Sequence, residues 1–320
     1  MSKMLSAMTR LPIRLLSTLP GQWGRTVFQK QMLTSFFSLA MQEELKVKVA
    51  GYFKSYLNKT QAESWSLAED YLEHYLSKIT DDVMLLNWPI GRLRARLEKM
   101  LVVRGVENLH KALGSDRGVI LLGSHIGSVF LGTLGLLKIC LEDPALEKRG
   151  LSVCSEPEMA SYPLIHNWAK AAGKIYHASI EVINVNNAKG NPAILMIGAL
   201  KKKRLLTTNM DVLDAGGDRG GVCLLNTMQL CLPALSGALE CAYHSGAMVL
   251  PWFNIRDGRG KLKVIFERPL DYFAKEDSTM KKEAWVMKSR KHMLDLFQKY
   301  LETYPDQWLY WDRLEKRLVK

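Results

Sequence analysis

Apolar residues recur three and four apart through residues 26–110 and give way to short apolar runs after residue 118, so the chain predicts helices first and an alternation of strands and helices afterwards. In "WSLAEDYLEHYLSKI", Ala68, Tyr71, Leu72, Tyr75, Leu76 and Ile79 mark one helical face. "GRLRARLEKMLVVRG" reads as a further helix, strongly basic through Arg92, Arg94, Arg96 and Lys99. Its polar side is either a solvated face or a contact for phospholipid or an acyl carrier. The runs "GVILLGS", "GLSVCSE", "RLLTTNMD" and "GAMVLPWFNI" predict strands, with helices over 127–139, 158–173, 192–204 and 233–245 between them. "KLKVIFERPL" alternates Leu262, Val264 and Phe266 against polar neighbours and predicts an edge strand. A last helix runs from Ser278, a plausible N-cap, to Tyr300 and is followed by the aromatic tail "YPDQWLYWDRL". The expected fold is α/β, with a mostly parallel central sheet flanked by helices. A helical N-terminal segment (1–110) packs on the main α/β domain (111–320), with no clear linker between them.

Residues 118–137, "GVILLGSHIGSVFLGTLGLL", hold no acidic residue, lysine or arginine, and a single histidine, His125. A membrane span should be continuously apolar for about twenty residues. This stretch carries five glycines and three hydroxyl residues, and "GSHIGS" interrupts it, which fits strand, tight turn and helix better. His125 then lies at the carboxyl end of a strand, just before a helix N-terminus, where open α/β sheets bind ligands. A general base there is one reading; a histidine merely hydrogen-bonded in a turn is the other.

Charge narrows the partners. Of 320 residues, 44 are Lys or Arg and 32 Asp or Glu, a net charge of +12 that suits an anionic membrane surface, an acidic carrier protein or nucleic acid. No zinc-finger spacing, RNA-recognition motif or basic run interleaved with aromatics supports nucleic acid, which is set aside. The N-terminal "MSKMLSAMTRLPIRLLSTLPGQWGR" is too broken for a signal peptide or span; it suits a short docked helix or a segment lying on an anionic bilayer. Five cysteines without a CxxC pair read as reduced core residues of a cytoplasmic protein, and no His, Cys, Asp and Glu grouping has metal-ligand spacing.

Four blocks in order resemble a known family. These are "VRGVENLHKALGSDRGVILLGSHIGS", "RLLTTNMDVLDAGG", "LPALSGALECAYHSGAMVLPWFNIRDGRGKLKVIFERPL" and "YLETYPDQWLYWDR". Together they are similar to the bacterial late acyltransferases of lipid A biosynthesis, the lauroyl and myristoyl transferases, within the wider lysophospholipid acyltransferases. The resemblance implies transfer of an acyl group from a carrier-protein or coenzyme A thioester to a hydroxyl or amine acceptor, with no further cofactor. It also implies a place on the cytoplasmic face of the inner membrane.

The chain departs from that family in three places. The family's histidine opens an H-x4-D/E motif, and here Phe130 stands where the acid belongs. Glu156–Pro157 replaces an arginine–proline pair, which disfavours a phosphorylated sugar acceptor and suits an amine or neutral one. The usual N-terminal span is not recognisable.

The expected site is therefore His125 as general base and Asp211 as substitute acid, with Asp214 and Asp218 as weaker choices. Amides at Gly127 and Ser128 would face the oxyanion, and Ser128 would cap the following helix. Arg219 and Arg256 are candidate phosphate contacts, against ordinary surface exposure. A Ser128 nucleophile paired with His125, an inactive lipid or acyl-carrier binding protein, and a membrane-surface scaffold all remain open.

Overall fold

The structure is a computed structural model. It describes residues 39–87, 90–142, 150–155, 169–170, 172–173, 180–184, 191–211, 222–225, 230–233, 236–257, 260–270 and 281–316. Helices α1 (Leu39–Leu57), α2 (Gln61–Asn87) and α3 (Ile90–Met100) lead into a seven-stranded sheet. The start of α2 is fixed by a reciprocal cap: the amide and hydroxyl of Thr60 donate to Glu63 at 2.8 and 2.7 Å, and the Glu63 amide donates back to Thr60 Oγ1 at 3.3 Å. Of the predicted α2 face, Ala68, Tyr71 and Leu76 are buried and Leu72 and Tyr75 half-buried.

The sheet runs β1 (Leu101–Arg104), β9 (Leu262–Phe266), β8 (Met248–Arg256), β2 (Val119–Gly123), β5 (Leu205–Asn209), β3 (Leu151–Ser155), β4 (Ile180–Asn184). Strands β8, β2, β5, β3 and β4 are parallel. Strands β9 and β1 run parallel to each other and opposite to β8. A separate antiparallel pair joins β6 (Val222–Leu225) to β7 (Leu230–Pro233). The α/β class with a mostly parallel sheet and a helical N-terminal segment is thus what the chain adopts.

Two local expectations are corrected. "LVVR" is a strand rather than the end of a helix, and it takes the sheet edge. "KLKVIFERPL" has the predicted alternation, with Leu262, Val264 and Phe266 buried, but it lies one strand in from that edge. β4 and the β6–β7 pair were not anticipated. The last helix begins at Lys282 with no side-chain cap, and Ser278 lies outside the described residues. Most of 158–173 does too.

Side chains alternate across the central strands and feed two cores. One face holds Ile120, Leu122, Leu206, Val249, Phe253 and Ile255, covered by α6 (Pro192–Lys201), α7 (Gly237–Ser245), α8 (Lys282–Thr303), parts of α1 and α2, and the aromatic tail. The other face holds Val119, Leu121, Leu205, Met248 and Leu250 under α3, α4 (Val106–Leu113) and α5 (Val129–Glu142). β2, buried at all five positions, is the centre of both. The helix that follows β2, α5, packs on one face; α7, the first described helix after β5, packs on the other. The carboxyl ends of the neighbouring strands β2 and β5 thus lie between helices of opposite faces, the kind of place where doubly wound sheets open a ligand crevice. No described helix is long and apolar enough to cross a membrane; residues 118–137 form a strand, a turn and part of a 14-residue helix.

Candidate active site

The turn after β2 carries His125, and β5 ends on "NMD". Register pairs Gly123 with Asn209, so the two strand ends lie side by side. Because strand side chains alternate, Asn209 and Asp211, two apart, aim the same way. They take one imidazole nitrogen each. Asp211 Oδ1 lies 2.8 Å from His125 Nδ1, and Asn209 Nδ2 lies 3.1 Å from His125 Nε2. With Nδ1 facing a carboxylate it carries the proton, and Nε2 keeps its lone pair toward the Asn209 amide.

The carboxylate is itself held firmly. The His125 backbone amide donates to Asp211 Oδ1 and Oδ2 at 3.1 and 2.9 Å, and the Trp308 indole N–H donates to Oδ2 at 2.9 Å. Asp211 and His125 are both buried, though the imidazole keeps 10% of its side-chain surface exposed. The ring lies 4.6 Å, centroid to centroid, from that of Tyr310. The structure thus brings Asp211, the expected substitute acid, to the imidazole. Phe130, where the resembled family carries its acid, instead packs half-buried on the α5-face core. Asp214, Asp218, Arg219 and Glu156–Pro157 lie outside the described residues.

Tail residues organise the turn. The Gly127 amide donates to the Gln307 carbonyl at 2.8 Å, the Leu309 amide to the His125 carbonyl at 3.0 Å, and Ile126 bridges Trp308. Gln307 in turn grips the end of β8, accepting from the Arg256 amide at 2.9 Å and donating to its carbonyl at 2.7 Å. "PDQW" therefore does more than pack the core: it ties β2, β5 and β8 together at their carboxyl ends. Gly127 needs its left-handed φ of 71°, and a Cβ there would lie 1.7 Å from the Asn254 carbonyl oxygen.

Several expected roles are corrected. The amides of Gly127 and Ser128 do not face an open oxyanion position, because they donate to the carbonyls of Gln307 and Asn254 at 2.8 and 3.2 Å. Ser128 occupies the N-cap position, its carbonyl accepting from the Gly132 amide at 2.9 Å, but its buried hydroxyl has no partner and makes no cap. The same hydroxyl makes no bond to His125, so a Ser–His nucleophile is not assembled. Arg256 is buried at the end of β8 and pairs with Asp81 of α2, which makes it structural rather than a phosphate contact.

Sequence reasoning missed Asn209 and the Trp308 contact. The spacing of two between Asn209 and Asp211 in a predicted strand was the available signal for the first; nothing local announced the second.

A small pocket beside the Gly127 turn is lined by Tyr71, His74, Lys78, Asp306 and Gln307, among others. His74 Nδ1 and Asp306 Oδ2 are 3.3 Å apart there. Such closeness would favour a charged pair, yet burial dominates both groups: it pushes the His74 imidazole down to about 4 and the Asp306 carboxyl up to about 6. Burial likewise pushes the Cys154 thiol up to about 12 and that of Cys241 up to about 11, so neither is a ready nucleophile. Among the described residues no cluster of His, Cys, Asp and Glu could hold a metal ion. No known family's sequence profile and no curated protein matches this chain.

Proposed function

We propose that the protein is an acyltransferase, a divergent relative of the late acyltransferases of lipid A biosynthesis, with His125 as general base. The observation that carries the reading is the 2.8 Å contact between Asp211 and His125 Nδ1 at the strand ends, which leaves Nε2 as the basic atom. A carboxylate so placed fixes the tautomer and stabilises the imidazolium that forms. His125 Nε2 takes the proton of an acceptor hydroxyl or amine as its oxygen or nitrogen attacks the thioester carbonyl. The tetrahedral intermediate then expels the thiolate, which recovers the proton from the imidazolium, so that a C–S bond is exchanged for a C–O or C–N bond with no net redox change.

The donor is an acyl carrier protein thioester or acyl-coenzyme A, and the net charge of +12 suits either anionic donor. The acceptor is a lipid or an amine. An anionic bilayer suits the basic α3, with Arg94, Arg96 and Lys99 exposed, and a peripheral position on the cytoplasmic face of the inner membrane follows from the same reading.

The test is incubation with palmitoyl-acyl carrier protein or palmitoyl-coenzyme A, a lysophospholipid and a long-chain amine, followed by mass spectrometry of the products. Acyl transfer that disappears in His125→Ala is the expected result. Equal transfer by the variant would overturn the mechanism, and donor binding without turnover would point to an inactive acyl-carrier binding protein.

A further inference from the structure

We propose that Asn209 is the oxyanion donor of this site, an assignment that rests on the acyltransferase reading. Any acyl transfer through His125 develops negative charge on the thioester oxygen, and a buried site must meet it with a donor already in place. Four described backbone amides around the histidine are already engaged. The amides of His125, Gly127, Ser128 and Leu309 donate to Asp211, Gln307, Asn254 and His125. The hydroxyls of Ser124 and Ser128 have no partner, but both residues are almost wholly buried and neither bonds to the imidazole.

Asn209 differs from these groups in place and in exposure. Its side-chain amide lies 3.1 Å from Nε2, the atom that must receive the acceptor's proton, and its residue is only half-buried. In the structure this amide donates to the Nε2 lone pair. An acceptor hydroxyl or amine that hydrogen-bonds to Nε2 takes that position, and the freed N–H is left beside the carbonyl under attack. As the new C–O or C–N bond forms, the proton moves to Nε2, and the carbonyl π pair moves onto oxygen, where Asn209 donates to it. When the carbonyl re-forms, the C–S bond breaks and the thiolate leaves with the proton from the imidazolium. The imidazole does not depend on Asn209 for its placement, because Asp211 holds Nδ1.

The experiment compares wild type, Asn209→Ala, Asn209→Asp and His125→Ala, using palmitoyl-coenzyme A with a lysophospholipid and with a long-chain amine. Thermal unfolding confirms that each variant folds. Asn209→Asp is the discriminating variant: it nearly preserves shape and can still orient a protonated imidazole, but it cannot donate to an oxyanion. Both Asn209 variants are expected to lose about 10²- to 10³-fold in kcat while the thioester KM stays within about threefold. Either variant retaining kcat within about threefold of wild type, while His125→Ala is inactive, would overturn the oxyanion role alone. Transfer unaffected by His125→Ala, or no transfer by wild type, would overturn the acyltransferase reading and this role with it.

Discussion

Trp308 and His125 share one carboxylate: the indole N–H holds Asp211 Oδ2 at 2.9 Å while Nδ1 faces Oδ1 at 2.8 Å. A tail residue 97 positions from the aspartate therefore sets how that carboxylate meets the imidazole. Phe297 and Trp311 pack edge-on against the same indole, with centroids 5.9 and 5.0 Å away, so its N–H points in a fixed direction.

Trp308→Phe keeps most of the ring packing and removes the N–H. A buried carboxylate oxygen that loses a donor costs about 1–3 kcal/mol, to be read as a lower urea midpoint. On the proposed function, acyl transfer should fall about tenfold as the carboxylate loosens. Unchanged stability and kcat would show that the indole only fills space.

Asp211→Asn tests the carboxylate itself. The amide oxygen can still accept from Trp308 or the His125 amide, so the fold should persist by circular dichroism. The neutral side chain cannot stabilise an imidazolium, and kcat should drop about 10³- to 10⁴-fold. A loss below tenfold would remove Asp211 from the mechanism.

The parts of this architecture legible in the sequence are those governed by local pattern. "GVILLGS" and "RLLTTNMD" read as strands because apolar runs end in glycine or polar residues, and His125 and Asp211 follow as strand-end residues. The edge assignment of β9 failed because alternation reports which face is buried, not how many neighbours a strand has. "LVVR" continues a helical pattern without a break in composition, and only the neighbouring β9 makes it a strand. The expected oxyanion amides failed for a related reason: free N–H groups are the default at a helix start, and the partners that engage these two come from Asn254 and Gln307, far along the chain. Such long-range pairings leave no periodicity to read.

Phe130→Glu restores an acid at the position where the resembled family carries one. Because Asp211 already faces Nδ1, the new carboxylate has no vacant partner at the imidazole. It also replaces an aromatic ring packed on the α5-face core. The expected result is no gain in kcat and a loss of about 1–3 kcal/mol in stability by urea unfolding. A rise in activity would mean that Asp211 is a poor substitute.

Titration around His74 and Asp306 gives a prediction with a definite sign. Burial lowers His74 from 6.5 to about 4, so between those values the unfolded chain holds the extra proton, and this residue makes stability rise with pH. Burial raises Asp306 from 3.8 to about 6, so over that range the folded chain holds the extra proton, and stability falls as pH rises. The two slopes oppose each other between about pH 4 and 6 and largely cancel in the wild type. Asp306→Asn leaves only the histidine, so its stability should climb from pH 4 to 6.5 more steeply than that of the wild type. His74→Gln leaves only the aspartate, and its stability should decline from pH 4 to 6 relative to the wild type. Unfolding free energies from urea titrations of the three proteins at pH 4.5, 5.5 and 6.5 should therefore diverge in opposite directions, by about 1–2 kcal/mol once residual solvent access is allowed for. Parallel curves would mean that solvent reaches both side chains and that burial does not govern either proton.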